Sequence, residues 1–238
     1  MTPADMITRR RSVRKYTDTP MAVSIKRSIL EHLESLRPLF PEFSFYAEFI
    51  DREDAKIPSQ MSWAPPDLLA VYAEDSIASR MNIGYLLALL DLSLQGAGLG
   101  TCWLGLAKPK DTGARRGLPF LTMMAIGYPD DVPLRTGAED FDRHSLEEIA
   151  DRADARLEPA RLAPSALNGQ PWYFTHTPDG YNLYCALKRS ATLRGLAHLD
   201  IGIALGHLAI TNPDTFTCFG ARILRTVPGH EYMLSFSI

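Results

Sequence analysis

The stretch Ile83–Leu94 constrains this chain most. Ile83, Leu86, Leu87, Leu90 and Leu94 recur at helical spacing and give an apolar face too broad for a surface helix. Asp75 is placed to cap this helix, which is expected to run to about Ala97, where Gly96, Gly98 and Gly100 stop it. A helix apolar on most sides must sit inside a fold with other elements packed around it. Asp200–Ile210 reads as a second apolar helix. The 238 residues, 46% hydrophobic and 22% charged, suffice for a sizeable core and argue against disorder.

The elements around these helices alternate. Pro20–Leu36 reads as a helix through Ile25, Ile29, Leu33 and Leu36, ended by Pro38 and Pro41. Phe43–Ile50 and Leu68–Ala73 read as strands, with a polar, proline-bearing loop Asp51–Pro66 between them. Leu121–Ile126 is a further strand. The connector Asp130–Asp142 is the best internal boundary. After it, Ser145-Leu146-Glu147-Glu148 has capping-box spacing and opens a helix. Pro171–His176 and Tyr181–Leu187 read as a hairpin around Pro178-Asp179-Gly180, and Arg222–Ile238 as two closing strands. An order repeats: helix, turn, strand in 24–50 and 145–176; strand, long apolar helix in 68–97 and 181–210. A period of roughly 120 residues is too long for a solenoid and points to internal duplication.

Composition closes several routes. A net charge of −3 gives no global field toward nucleic acid or an anionic membrane. Cys102, Cys185 and Cys218 are odd in number and far apart, which signals no disulfide framework or zinc ribbon. The six histidines show no H-x-x-x-H spacing, so no metal site is expected, and no G-x-S-x-G elbow is present. Asp200 and His207 read as polar residues at the ends of a core helix. The longest apolar run, Ile83–Leu90, stops at Asp91 and is too short to span a bilayer. The start, Met1-Thr2-Pro3-Ala4-Asp5, leads into arginines rather than a signal core, so a cytoplasmic protein is the expectation.

Three stretches carry candidate chemistry. Arg9-Arg10-Arg11-Ser12-Val13-Arg14-Lys15-Tyr16 is either a solvated basic tail, a nucleic-acid arm, or an anion clamp in which arginine forks match phosphate oxygens. No further Lys/Arg stripe or aromatic ladder supports the nucleic-acid reading. Leu162-Ala163-Pro164-Ser165-Ala166-Leu167-Asn168-Gly169-Gln170-Pro171-Trp172 contains the turn pair Asn168-Gly169, yet Ser165, Asn168 and Gln170 all offer polar groups beside a tryptophan. Such a loop suits a planar heterocycle with donors and acceptors along its edge. Gly96-Ala97-Gly98-Leu99-Gly100-Thr101 superficially matches a dinucleotide fingerprint. These glycines close a helix instead of opening one, and Thr101 stands where the last glycine belongs. They read as a helix stop, or as backbone brought close to a flat ligand.

Together these stretches resemble the FMN-dependent nitroreductase family. Arg10-Arg11-Ser12-Val13-Arg14-Lys15-Tyr16 resembles its opening motif. Ala163–Trp172 is similar to its flavin-edge motif and is the most specific match. Gly98–Gly105 resembles the segment along the flavin ring, and Ile126–Pro129 and Arg143–Ile149 its late strand and tail. The order differs from an ordinary member: the flavin-edge motif stands more than 120 residues beyond the opening motif, where the family has it within about one helix. Duplication with complementary loss accounts for this. The resemblance is thus to a single-chain, duplicated branch of the family.

The resemblance implies an α+β, three-layer α/β/α fold, duplicated to mimic the family dimer, with halves 1–143 and 144–238 forming one unit. It implies one FMN per chain, with Arg10, Arg11 and Ser12 at the phosphate and Arg143 as a further candidate. Arg14 would lie near the N1/O2 edge, where a cation favours the reduced ring. Leu104 and Gly105 would face N5, and Pro164, Ser165, Ala166, Asn168 and Gln170 would come from the second half. No side chain need act as acid, base or nucleophile. The implied cycle is ping-pong: NAD(P)H gives hydride to the flavin, leaves, and a nitroaromatic, quinone or similar acceptor takes its place. A non-catalytic flavin-binding or flavin-storing protein is the alternative. A monomer should suffice, with a homodimer as the other option and neither nucleic acid nor membrane as partner.

Overall fold

The computed structural model describes residues 1–58, 63, 65–220 and 225–238. Part of the expected 51–66 loop and the start of the expected 222–238 strand pair lie outside the described residues. α1 (Val23–Ser35) buries Ile29 and Leu33, and Leu36 already has extended backbone. β1 (Phe45–Ile50), β2 (Asp67–Ala73), β3 (Gly100–Trp103) and β4 (Phe120–Gly127) form an antiparallel sheet in the order β1-β2-β4-β3. Between β1 and β2, the chain makes a short 3₁₀ turn at Arg52–Asp54 and a two-residue strand, Ala55–Lys56, paired with Lys108–Pro109.

β2 is buried along its whole length, and its side chains alternate between faces. Leu69, Val71 and Ala73 pack with α1 and α2 (Ile77–Gly96). Leu68, Ala70 and Tyr72 pack with Cys102, Leu104, Met123 and Ala125. α2 is capped by Ser76, whose hydroxyl accepts the Ser79 N–H, and not by Asp75. The helix runs through Asp91 instead of losing its apolar character there.

The second sheet is built from β5 (Trp172–Thr177), β6 (Gly180–Ala186), β7 (Thr217–Phe219) and β8 (His230–Ser237), also antiparallel. Its order, β5-β6-β8-β7, is that of the first sheet strand for strand. In both sheets a long helix follows the second strand. Here it is α3 (Ala191–Thr211), which begins nine residues before the expected Asp200 and places Asp200 mid-helix. The helix expected from Ser145 has its capping box but lasts one turn, Leu146–Ile149, before Ala150 bridges to Phe174 in β5.

α2 and α3 pack directly on each other, as their apolar faces require. A Cβ on Gly84 would sit 2.0 Å from the Leu199 carbonyl oxygen, and one on Gly202 2.0 Å from that of Met81. Each helix therefore meets its partner at a glycine, and the backbones approach too closely for any side chain. Both helices are long and apolar enough to cross a membrane by length and composition alone. That corrects the expectation that an apolar run ending at Asp91 is too short. In this fold both are mostly buried between the cores of the two sheets.

Candidate functional site

The basic opening is not a solvated tail. After a 3₁₀ turn at Ala4–Thr8 it runs extended beside β3 and the end of β4. Val13 N–H donates to Thr101 O (2.8 Å), and Thr17 N–H to Tyr128 O (2.9 Å). Gly100 is required for this approach: a Cβ there would lie 2.8 Å from Val13 Cγ1. Arg10 is 1% exposed, and its Nε lies 3.1 Å from Oδ2 of Asp91, itself 0% exposed. Gln95 Nε2 (2.6 Å), Thr101 Oγ1 and Trp103 Nε1 (3.4 Å) also donate to that carboxylate. Asp91 is therefore the buried counter-ion of the arginine segment. Even so, Arg10 Nη2 and Arg11 Nε are buried without a hydrogen-bond acceptor among the described residues, and Arg10 Nε has only its ion-pair contact to Asp91. Unmade donors of this kind are costly unless something accepts from them.

These arginines open onto a cavity of about 920 Å³. Its lining includes Arg10, Arg11, Ser12 and Arg14, the stretch Cys102–Ala107 at and beyond the end of β3, the loop Pro164–Asn168, and the α3 face Leu196, Leu199, Asp200 and Ile203. The i, i+3, i+4, i+7 spacing on α3 is one helical stripe. The cavity brings together Arg10, Arg11, Ser12, Arg14, Leu104, Gly105, Arg143, Pro164, Ser165, Ala166 and Asn168 of the sequence expectation. Gln170 is not on its wall. Its buried amide accepts His144 N–H (2.9 Å) and donates to Asn168 O (3.2 Å), so it shapes the loop from behind. Trp172 turns into the core under the second sheet.

The 163–170 loop is held from several sides. Ser165 Oγ accepts Gln170 N–H (2.9 Å), and Asp200 accepts Ala166 N–H (3.0 and 3.2 Å). Arg143 donates to Asn168 Oδ1 (2.8 Å), Asp142 O (2.8 Å) and Ala163 O (3.0 Å). These bonds fix a strained backbone: Leu167, Asn168 and Gln170 have φ of 54°, 55° and 37°. Leu167 is left 81% exposed at the cavity mouth.

The electrostatics favour an anion. Among the described residues, five arginines line the cavity, against Asp140 and Asp200. Burial pushes the Asp200 carboxyl up to about 8, opposed by the Ala166 N–H and Lys188, so near neutral pH it is largely uncharged. Burial first, then Arg10 and Arg135, lowers the Arg143 guanidinium to about 10. Excess positive charge is thus concentrated in a molecule of net charge −3. Sequence reasoning misses Arg135, Asp91 and Asp200 as site residues. Arg135, which donates to Arg10 O, stands alone in the connector with no pattern around it.

Residues 4–212 match the family model described as "Putative TM nitroreductase". The crystal structure of a putative nitroreductase from Thermotoga maritima superposes with a TM-score of 0.62 at 21% identity, covering 99% of this chain and 94% of that one. An FMN-dependent nitroreductase from Clostridium difficile aligns with a TM-score of 0.46 at 15% identity, covering 60% of this chain and 98% of that one. Among curated proteins, none matches this chain.

Proposed function

The chain belongs to the "Putative TM nitroreductase" family, and on that premise we propose that it is an FMN-dependent oxidoreductase with one composite site per chain. The observation that carries this reading is the cavity between the halves. Unpartnered, buried guanidinium donors of Arg10 and Arg11 stand in one wall and the Pro164–Asn168 loop in the other. A dianionic phosphate fits those donors in charge and bonding, since arginine forks bind phosphate oxygens in pairs.

Arg10, Arg11 and Ser12 would hold the phosphate, with Arg135 and Arg143 adding positive charge. Arg14 would serve the pyrimidine edge of the ring, and the Leu104–Gly105 backbone and Pro164, Ser165 and Ala166 would border it. FMN, when bound, supplies the redox chemistry that links NAD(P)H to a nitroaromatic, quinone or similar acceptor. The chain itself binds, orients and excludes water. Asp200 fixes Ala166, Arg143 fixes Asn168, and the stripe Leu196, Leu199 and Ile203 keeps the wall apolar.

The matching strand orders of the two sheets and the reciprocal glycine contacts of α2 and α3 support reading the chain as a duplicated pseudo-dimer, with halves 1–143 and 144–238. In this reading the second half does the work of a partner subunit, and a monomer suffices. The test is NAD(P)H oxidation by the FMN-loaded full chain, with a quinone and a nitroaromatic as acceptors. FMN-dependent, acceptor-dependent turnover is expected. Flavin binding without turnover would make this a flavin carrier, and absence of FMN binding would overturn the reading.

A further inference from the structure

Cys185, His198 and Glu231 meet on the second sheet, outside the cavity lining, with one potential ligand atom each and all three atoms within 4.8 Å of one another. Cys185 in β6 and Glu231 in β8 are direct cross-strand partners, so both side chains leave the sheet on the same face. α3 covers that face, and His198 reaches from it to place Nε2 3.0 Å from Glu231 Oε1. We propose that these three side chains form a binding site for a divalent transition-metal ion of the zinc type, which pins α3 to the second sheet.

The donor set supports that class of ion. A thiolate, an imidazole and a carboxylate are the ligands zinc takes. Metal–ligand bonds of about 2.0–2.3 Å put tetrahedral donors about 3.3–3.6 Å apart. The observed spacing reaches this with side-chain shifts of about an ångström. Charge balances as well: one thiolate and one carboxylate neutralise a divalent cation, leaving a neutral complex at the edge of an apolar core. Burial differs in a useful way. The Cys185 thiol is buried and the His198 side chain is 9% exposed, but the Glu231 side chain is 37% exposed. Solvent therefore reaches the carboxylate side, where water can complete four-coordination. On binding, the thiol proton leaves to solvent and the Cys185 sulfur bonds the metal; no oxidant or reductant is involved.

The placement has a mechanical consequence. His198 lies on the same turn of α3 as Leu196, Leu199 and Asp200, which line the cavity. An ion at Cys185–His198–Glu231 would hold the back of that turn against β6 and β8 and so stiffen the cavity wall. Occupancy of this site needs no flavin, so its test is separate from that of the oxidoreductase reading.

The experiment uses the metal-free full chain. Zn²⁺ is titrated by calorimetry, and Co²⁺ is used as a spectroscopic stand-in, because cobalt bound to a thiolate gives a charge-transfer band in the near ultraviolet. Saturation at one ion per chain, that band, and a raised melting temperature are expected. Cys185→Ser should abolish the cobalt band. Glu231→Gln, at a partly exposed position that keeps an acceptor for His198, should fold normally and weaken zinc at least tenfold. Cys218→Ser, outside the cluster, should leave binding intact. Absence of stoichiometric binding, or binding unchanged in both Cys185→Ser and Glu231→Gln, would overturn the proposal.

Discussion

The Arg10–Asp91 pair separates two roles that a single substitution would confuse. Arg10 is 1% exposed and Asp91 0%, at 3.1 Å. Removing Arg10 alone leaves a buried carboxylate without its cation, and breaking a buried pair this way costs about 3–5 kcal/mol. An Arg10→Met chain would therefore lose flavin through instability as well as through a missing phosphate contact. The Arg10→Met/Asp91→Asn chain avoids this. Neither charge remains, and the amide that replaces the carboxylate keeps an acceptor for Gln95 and Thr101. Its stability should fall by only about 1 kcal/mol, which leaves it about 2–4 kcal/mol more stable than Arg10→Met alone, and the double-mutant cycle reads the coupling of the two side chains. Urea unfolding of the four chains measures that coupling. Flavin fluorescence titration then reads the second role. In the double variant FMN should weaken by about 1.5–3 kcal/mol, the worth of a charge-assisted bond, while riboflavin, which lacks the phosphate, stays unchanged. Asp91→Asn alone should tighten FMN, because Arg10 is released from its competitor. Equal weakening of both flavins in the double variant, or a double variant as unstable as Arg10→Met, would refute the reasoning.

Three further outcomes follow from the same geometry. Arg14→Gln should lower the flavin reduction potential while changing affinity less, since a cation at the pyrimidine edge matters most to the reduced ring; spectroelectrochemistry showing an unchanged potential would remove Arg14 from that edge. Leu167→Gly should leave stability equal or raise it by up to about 1 kcal/mol, because Leu167 has φ 54° and is exposed; a clear fall in melting temperature would show that the side chain supports the loop. His207→Leu should flatten the acid limb of the stability curve. Burial, then Arg10, lowers the imidazole from 6.5 to about 3, so between those values the unfolded chain binds the extra proton and stability drops as pH falls. Equal acid lability of the two chains would contradict this.

What the sequence made legible follows from where each residue spends its chemistry. The breadth of the apolar face on Ile83–Leu94 requires a buried helix, and α2 is one. Asp91 reads as the end of the apolar run because burial of a carboxylate is rare without a partner. That partner, Arg10, lies 81 positions earlier, and no local pattern joins the two. Of the nine residues by which α3 reads short, Ala191–Arg194, its first turn, face solvent, while Gly195–Leu199 are buried and carry Leu196 and Leu199 of the apolar stripe that the sequence reading passed over. The 163–170 loop is legible as a ligand edge, but its polar residues divide the labour. Asn168 and Ser165 both line the cavity and brace the loop, and Gln170 only braces it. Cys185, His198 and Glu231 are 13 and 33 positions apart, so only the sheet register and the path of α3 bring them together.

In the proposed function, the two halves of one polypeptide close a single flavin site. Its most direct test is calorimetric titration of the purified full chain with FMN, with the molar mass of the same sample measured by light scattering after size exclusion. Saturation at one FMN per chain at the mass of a monomer, 26.5 kDa, is expected. Two flavins per chain, or an obligate dimer in which each flavin bridges two polypeptides, would contradict it.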